Sequence, residues 1–215
     1  AKLAWRTPST DSESLLDAYG DAGEIIRGSD LTIAVLGIDR TIEREGQDRS
    51  TIELPEDQQI FIEEAYKANP NTVVVLVAGS SLAINWIDQN IPAVLDAWYP
   101  GEQGGTAVAE ALFGDYNPGG RLPLTFYNSL SDLPAFDDYN VRNNRTYMYF
   151  EGKPLYPFGY GLSYTDFAYR GLDVTQDEEN VTVKFFVSNT GNYDGDEVAQ
   201  VYIQFPDQGT TLPLK

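Results

Sequence analysis

The stretch Leu31-Thr32-Ile33-Ala34-Val35-Leu36-Gly37 decides the fold class. It is short, almost continuously apolar and closed by a glycine. Such a run reads as a strand buried on both faces, the habit of parallel sheets rather than of half-solvated antiparallel ones. The same pattern returns at Thr72 to Gly79, where five of the residues are Val or Leu, and again at Ala93 to Tyr99. Between these runs the spacing becomes helical. Leu15, Leu16, Ala18, Tyr19, Ala22, Ile25 and Ile26 predict a helix over 12–26, with Asp11 or Ser12 as its cap. Phe61, Ile62, Ala65 and Tyr66 share one face of a helix starting at Pro55, and Ser80 or Ser81 is placed to cap a helix through Trp86 and Ile87. A loop, Pro100 to Gly105, leads into a helix carrying Ala107, Val108, Ala111 and Leu112. Strands alternating with helices predict an α/β fold, a mostly parallel sheet sandwiched by helices in the flavodoxin-like manner.

The pattern changes after Gly114. As far as Tyr164 the chain is rich in Pro, Gly, Asn and Tyr, with one strand expected at Arg121 to Tyr127. Beyond Thr165 no helical period remains. Strands are expected at Phe167 to Val174, Val181 to Ser188 and Val198 to Phe205. In the second, Val181, Val183, Phe185 and Val187 alternate with Thr182, Lys184, Phe186 and Ser188, the mark of a half-exposed antiparallel strand. An immunoglobulin-like β-sandwich needs about 100 residues and seven strands. The 50 residues from Asp166 to Lys215 suit only part of one. The predicted organisation is an α/β domain over 1–164 and a truncated β-sandwich over 165–215.

Composition narrows the chemistry. The chain has 215 residues, 14 Lys and Arg against 33 Asp and Glu, and a net charge of −19. That charge repels phosphate backbones and anionic lipid, so nucleic-acid and membrane-surface binding are excluded as readings. No apolar run approaches the roughly 20 residues of a membrane span. There is no His and no Cys. The chain therefore cannot supply a Ser-His-Asp triad, a catalytic thiol or a Cys/His zinc site. Carboxylates, Tyr, Lys, Ser/Thr and backbone amides are what remain.

The densest cluster of such groups, Gly37 to Arg49, follows the first strand. In an open α/β sheet, ligands bind beyond the carboxyl ends of the strands, where this loop must lie. Its carboxylates are candidates for general acid/base work, against the alternative of a solvated loop making its own ion pairs. Glu43 and Glu45 are two apart: an extended segment would point both the same way, whereas a turn would let only one enter a site. The glycine spacing of Gly101 to Gly105 fits neither a dinucleotide fingerprint nor a P-loop. The aromatic run from Tyr147 to Tyr164 could stack on sugars, but rings packing two domains together is the favoured reading.

Four segments together resemble glycoside hydrolase family 3. They are Gly37 to Arg49, Trp98-Tyr99-Pro100-Gly101-Glu102-Gln103-Gly104-Gly105, Leu112 to Pro123, and Pro157-Phe158-Gly159-Tyr160-Gly161-Leu162-Ser163-Tyr164-Thr165. They occur in the order of the β-glucosidases and β-xylosidases of that family, and the likeness covers nearly the whole chain. It implies the family's α/β sandwich up to about Tyr164 and the start of its fibronectin type III-like domain after it. It also implies a retaining, exo-acting β-glycosidase for terminal β-D-xylosyl or β-D-glucosyl residues, secreted or periplasmic, with an oligosaccharide or β-glycoside as substrate and no metal or organic cofactor. In the family a TIM barrel, missing here, precedes the sandwich and carries the nucleophilic Asp. The sandwich supplies the acid/base Glu; the matching residue is read as Glu43, with Glu45 as backup, and Asp48 and Arg49 as braces of the loop. The chain alone is then expected to be inactive. A non-catalytic carbohydrate-binding or interaction module is the alternative.

Overall fold

The computed structural model describes Leu16 and residues 20–202. Three strands, β1 (Thr32–Gly37), β2 (Thr72–Val77) and β3 (Ala93–Asp96), form a parallel sheet in the order β1-β2-β3. Helices α1 (Ala22–Arg27), α2 (Glu56–Ala68), α3 (Asn85–Asn90) and α4 (Gly104–Phe113) alternate with them. A short helix α5 (Thr146–Tyr149) follows, and β4 (Phe167–Gln176) pairs antiparallel with β5 (Val181–Asn189) in a separate sheet. The sequence-predicted α/β architecture and the switch to β structure are both present. The amino-terminal part of the helix expected over 12–26 lies largely outside the described residues.

The core forms where the apolar runs meet α2 and α3. Ile62, Val74, Leu76, Leu82, Ile84 and Ile87 are almost fully buried in one cluster with Ala34 and Leu36. β2 is covered on both faces, as its Val-rich sequence predicts. β1 is not: Ala34 and Leu36 are buried, but Ile33 and Val35 are 39% and 59% exposed. The expectation of two buried faces fails there: the face that carries Ile33 and Val35 stays exposed while the opposite face packs into the core. At its end, Gly37 has φ +147°, and a Cβ there would collide with the Val77 carbonyl. Only glycine allows the two strands to leave the sheet so close together.

α2 starts behind Pro55 with Glu56 and Asp57 in its first turn, where carboxylates favour the helix dipole, and Lys67 lies in its last. It stops at Asn69, which is extended ahead of Pro70, as the residue before proline must be. The Asn69 amide then donates to the Ile26 and Ser29 carbonyls and to Thr32 Oγ1, fastening α1 to the start of β1.

Three expected elements come out differently. α3 begins at Asn85, not at Ser80 or Ser81. The segment before it stays extended because Ala83 pairs with Glu53 and its N–H donates to the Ile52 carbonyl at 2.8 Å. Arg121 to Tyr127 is no strand: only Phe126 bridges Tyr156, since Pro123 and Pro157 each lack the N–H a ladder needs. Of the strand expected at Val198 to Phe205, residues 198–202 have no strand structure and the rest lie outside the described residues.

The rings of the aromatic run pack on one another. Tyr147 stacks on Phe158 with centroids 4.3 Å apart, and Tyr156 on Tyr160 at 4.9 Å. A seam of polar and backbone contacts joins this region to residues 191–200. Arg121 donates to the Gly119, Gly120 and Leu162 carbonyls and, at 2.7 Å, to Glu197, which also accepts from the Tyr169 hydroxyl. Asn117, almost fully buried, accepts from Tyr164 N–H and exchanges hydrogen bonds with the Ser163 hydroxyl. Gly119 lies so near the Asp196 carbonyl that a Cβ would sit 2.7 Å from its oxygen.

Candidate active site

The carboxyl edge of the parallel sheet is where the loops after β1, β2 and β3 meet. Gln58 of α2 fixes the exit of β1, accepting from Gly37 N–H at 2.7 Å and donating to its carbonyl at 2.8 Å. The loop then opens with a tight turn. One Asp39 carboxylate oxygen accepts from the N–H and hydroxyl of Thr41, and the Asp39 carbonyl accepts from Ile42 and Glu43 N–H. These bonds, the Thr41 hydroxyl first, hold the Asp39 carboxyl below the usual carboxylate range.

Residues 43–49 form a small hairpin. Arg44 and Gln47 exchange both backbone hydrogen bonds, at 3.1 and 2.9 Å, with Glu45 and Gly46 as the turn. Gly46 has φ +75°, which a turn of this kind requires at its second central residue. The segment is thus a turn, and the two glutamates part company. Glu45 is exposed at the tip and has no hydrogen-bond or ion-pair partner among the described residues. Glu43 sits at the base. Its Oε2 accepts from Arg49 Nε at 2.5 Å and from the Ser80 hydroxyl at 2.9 Å. The Arg49 side chain is only 8% exposed, and its Nη2 donates to Ser80 Oγ and to the Ser81 carbonyl at 2.9 and 3.0 Å. Its Nη1 is buried without a partner. Arg49 therefore ties the loop together, the role the family resemblance implies for it, while Asp48 is exposed. Ser80 is the group that sequence reasoning missed. A Ser-Ser pair after a strand signals a helix cap, and nothing local points to a partner 37 residues earlier.

The loop after β3 completes the edge. Asp96 ends the strand with one oxygen accepting from Trp98 N–H at 3.2 Å and the other buried and unpaired. Desolvation pushes its carboxyl up to about 6, opposed by the Trp98 hydrogen bond. Trp98 adopts φ +52°, which is why β3 stops short of the expected Tyr99. Tyr99 reaches across the edge, its ring against Gly79 and its hydroxyl donating to the Ile38 carbonyl at 3.2 Å. Neither of two surface cavities, about 400 Å³ beside Phe113, Tyr164 and Tyr193 and about 290 Å³ beside Leu130, Phe136 and Arg145, includes a residue of the hairpin.

The carboxyl edge of the open parallel sheet thus carries a hairpin with an exposed carboxylate at its tip and an ion pair at its base, and neither surface cavity reaches it. Residues 13–164 match the glycosyl hydrolase family 3 C-terminal domain, and the chain belongs to that family. It is 39% identical over 187 residues to a xylan 1,4-beta-xylosidase of Xylanibacter ruminicola, covering 86% of this chain and 21% of that protein. It is 35% identical over 210 residues to a periplasmic beta-glucosidase of Salmonella typhimurium, covering 91% and 28%. Among solved structures, a beta-glucosidase from Kluyveromyces marxianus in complex with glucose superposes with a TM-score of 0.84 at 31% identity, over 95% of this chain and 26% of that one. The chain thus spans between a fifth and a third of the length of these relatives.

Proposed function

We propose that this chain is the acid/base half of a retaining, exo-acting β-glycosidase that releases terminal β-D-xylosyl or β-D-glucosyl residues, working with a nucleophilic Asp on a TIM barrel. The names of its relatives and their greater length support that division. So does the chemistry: retaining hydrolysis needs two carboxyl groups about 5–5.5 Å apart, one attacking and one giving and then taking a proton. Sharing them between domains puts the glycosidic bond in the cleft between the domains. The substrate is an oligosaccharide or β-glycoside; the name of the Salmonella relative supports a periplasmic or secreted location.

The hairpin geometry carries the residue assignment. A proton donor must reach the glycosidic oxygen in the cleft. Glu43, the residue the family resemblance puts first, is turned onto Arg49 and Ser80 and would have to break an ion pair to do so. Glu45 at the tip is free. We therefore assign proton transfer to Glu45 and give Glu43 the role of holding the hairpin.

The test uses a polypeptide joining this chain to its barrel. Replacing the acid/base with Gln removes the proton but spares the nucleophile. With a dinitrophenyl β-glycoside, which needs little protonation, Glu45→Gln should keep glycosylation and slow deglycosylation about 10²–10⁴-fold. A burst of dinitrophenol should appear, and azide should restore turnover by attacking without a base. If Glu43→Gln shows the burst and azide rescue while Glu45→Gln behaves as wild type, the assignment reverts to Glu43. If neither does, the loop is not the acid/base. The chain alone should hydrolyse such glycosides no faster than background.

A further inference from the structure

We propose that Ser80 and Arg49 are positioning residues for catalysis, fixing the hairpin through Glu43 so that its tip keeps one place relative to the substrate. The inference rests on the assignment of proton transfer to this hairpin.

The hairpin cannot hold itself. Its closure consists of the two backbone hydrogen bonds between Arg44 and Gln47, with exposed side-chain bonds from Arg44 to the Arg40 carbonyl and from Gln47 to the Thr41 carbonyl, and isolated two-stranded hairpins are marginal in water. Its place must be set at the base, and the base is tied to a different strand. Glu43 and Arg49 flank it on opposite limbs, joined at 2.5 Å. Ser80 lies within 2.9 Å of both, donating to Glu43 Oε2 and accepting from Arg49 Nη2. The Ser81 carbonyl takes a further hydrogen bond from Nη2. Ser80 and Ser81 stand just beyond β2, the strand covered on both faces. The returning limb is fastened to the same segment where Ala83 N–H donates to Ile52. The loop leaves from the edge strand β1, yet its anchor is the central strand.

The arrangement is poorly explained by stability alone. Burying an ion pair costs about as much desolvation as the attraction returns, and apolar replacements are often no worse. The unpaired, buried Nη1 of Arg49 adds a further cost. What a guanidinium does supply is a rigid planar edge: Nε meets Glu43 while Nη2 meets Ser80 and Ser81, fixing angles as well as distances. Misplacing a reacting group by about 1 Å can cost about 10²-fold in rate, so a clamp of this kind serves the tip.

The experiment compares Ser80→Ala, Ser80→Thr, Arg49→Lys and Glu45→Gln in the polypeptide carrying the barrel. Two substrates are used: xylobiose, which needs a proton donor, and a dinitrophenyl β-xyloside, which scarcely does. Ser80→Ala should lower kcat on xylobiose about 10–100-fold with KM within about two-fold, and should leave the dinitrophenol burst rate within about two-fold of wild type. Ser80→Thr, which keeps the hydroxyl, should restore most of the loss. Arg49→Lys should not, because an ammonium cannot meet both partners; should that variant fail to fold, the two Ser80 variants decide the matter. Equal losses on both substrates after Ser80→Ala, or no loss on either, would overturn the positioning role. If Glu45→Gln shows the leaving-group dependence and Ser80→Ala does not, the positioning role falls while the acid/base assignment stands. If Glu45→Gln lacks that dependence, the assignment falls and the positioning role with it.

Discussion

Replacing Asp96 with Asn should change how the stability of the chain depends on pH. Asp96 ends β3 with one carboxylate oxygen buried and unpaired, and burial raises its folded pKa from 3.8 to about 6. In the unfolded chain the carboxyl ionises near 3.8. Between about pH 4 and 6, therefore, the unfolded state has lost a proton that the folded state still holds. Stability must fall as pH rises through that window and level off above it. At 1.36 kcal/mol for each tenfold change, the full effect is about 3 kcal/mol. The side chain is only half-buried, and water reaching it reduces this to about 1–2 kcal/mol. Asn keeps the oxygen that accepts from Trp98 N–H and carries no charge to bury. Wild type and Asp96→Asn should thus differ least near pH 5 and most near pH 8, with the variant gaining about 1 kcal/mol over that range. Urea unfolding of both proteins at pH 5, 6, 7 and 8 measures it, and subtraction removes the contribution of the other carboxylates. A difference that is flat with pH, or that grows in favour of wild type as pH rises, refutes the reasoning.

Gly37→Ala should cost about 3 kcal/mol or more, through its backbone angle and the clash with Val77. Gly105→Ala, in the first turn of α4 with open space at its Cβ, should gain about 0.5–1 kcal/mol in the same unfolding assay. Arg121→Ala leaves Glu197, 16% exposed, without its cation and should lower stability by about 2–4 kcal/mol, against about 1 kcal/mol for Tyr169→Phe; thermal melts should rank them so. The β4–β5 sheet exposes Leu172 and Phe186 at 72% and 68%. The isolated chain should therefore associate as its concentration rises, and Leu172→Lys with Phe186→Glu should return it towards a monomer, as read by light scattering.

The fold was legible wherever burial alone dictates sequence. The run Thr72 to Val77 reads correctly because a central parallel strand has apolar neighbours on both faces. The run at β1 looks the same, and its exposed Ile33 and Val35 could not be foreseen, because whether a face is covered depends on what packs over it. Arg121 to Tyr127 has strand-like spacing, but pairing failed at prolines on both partners, a condition that no window on one segment displays. The candidate site follows from a general rule: ligands of an open α/β sheet bind beyond the carboxyl ends of its strands, which is where the loop after β1 lies. Its internal division does not. Glu43 and Glu45 are indistinguishable by spacing until the Arg44–Gln47 turn separates base from tip, and the residue that holds the base, Ser80, comes from another loop altogether.

The seam around Asn117 and Arg121 has a consequence for which changes residues 191–200 can take. Apart from the Glu197 carboxylate, the Gln200 amide on the Gly159 carbonyl and the Tyr193 ring beside Tyr164, much of what residues 191–200 offer across it is main chain, with the Asp196 carbonyl seated over Gly119. Main-chain groups are common to every sequence. Changes elsewhere in the segment leave the seam in place so long as those three side chains and the carbonyl over Gly119 are kept.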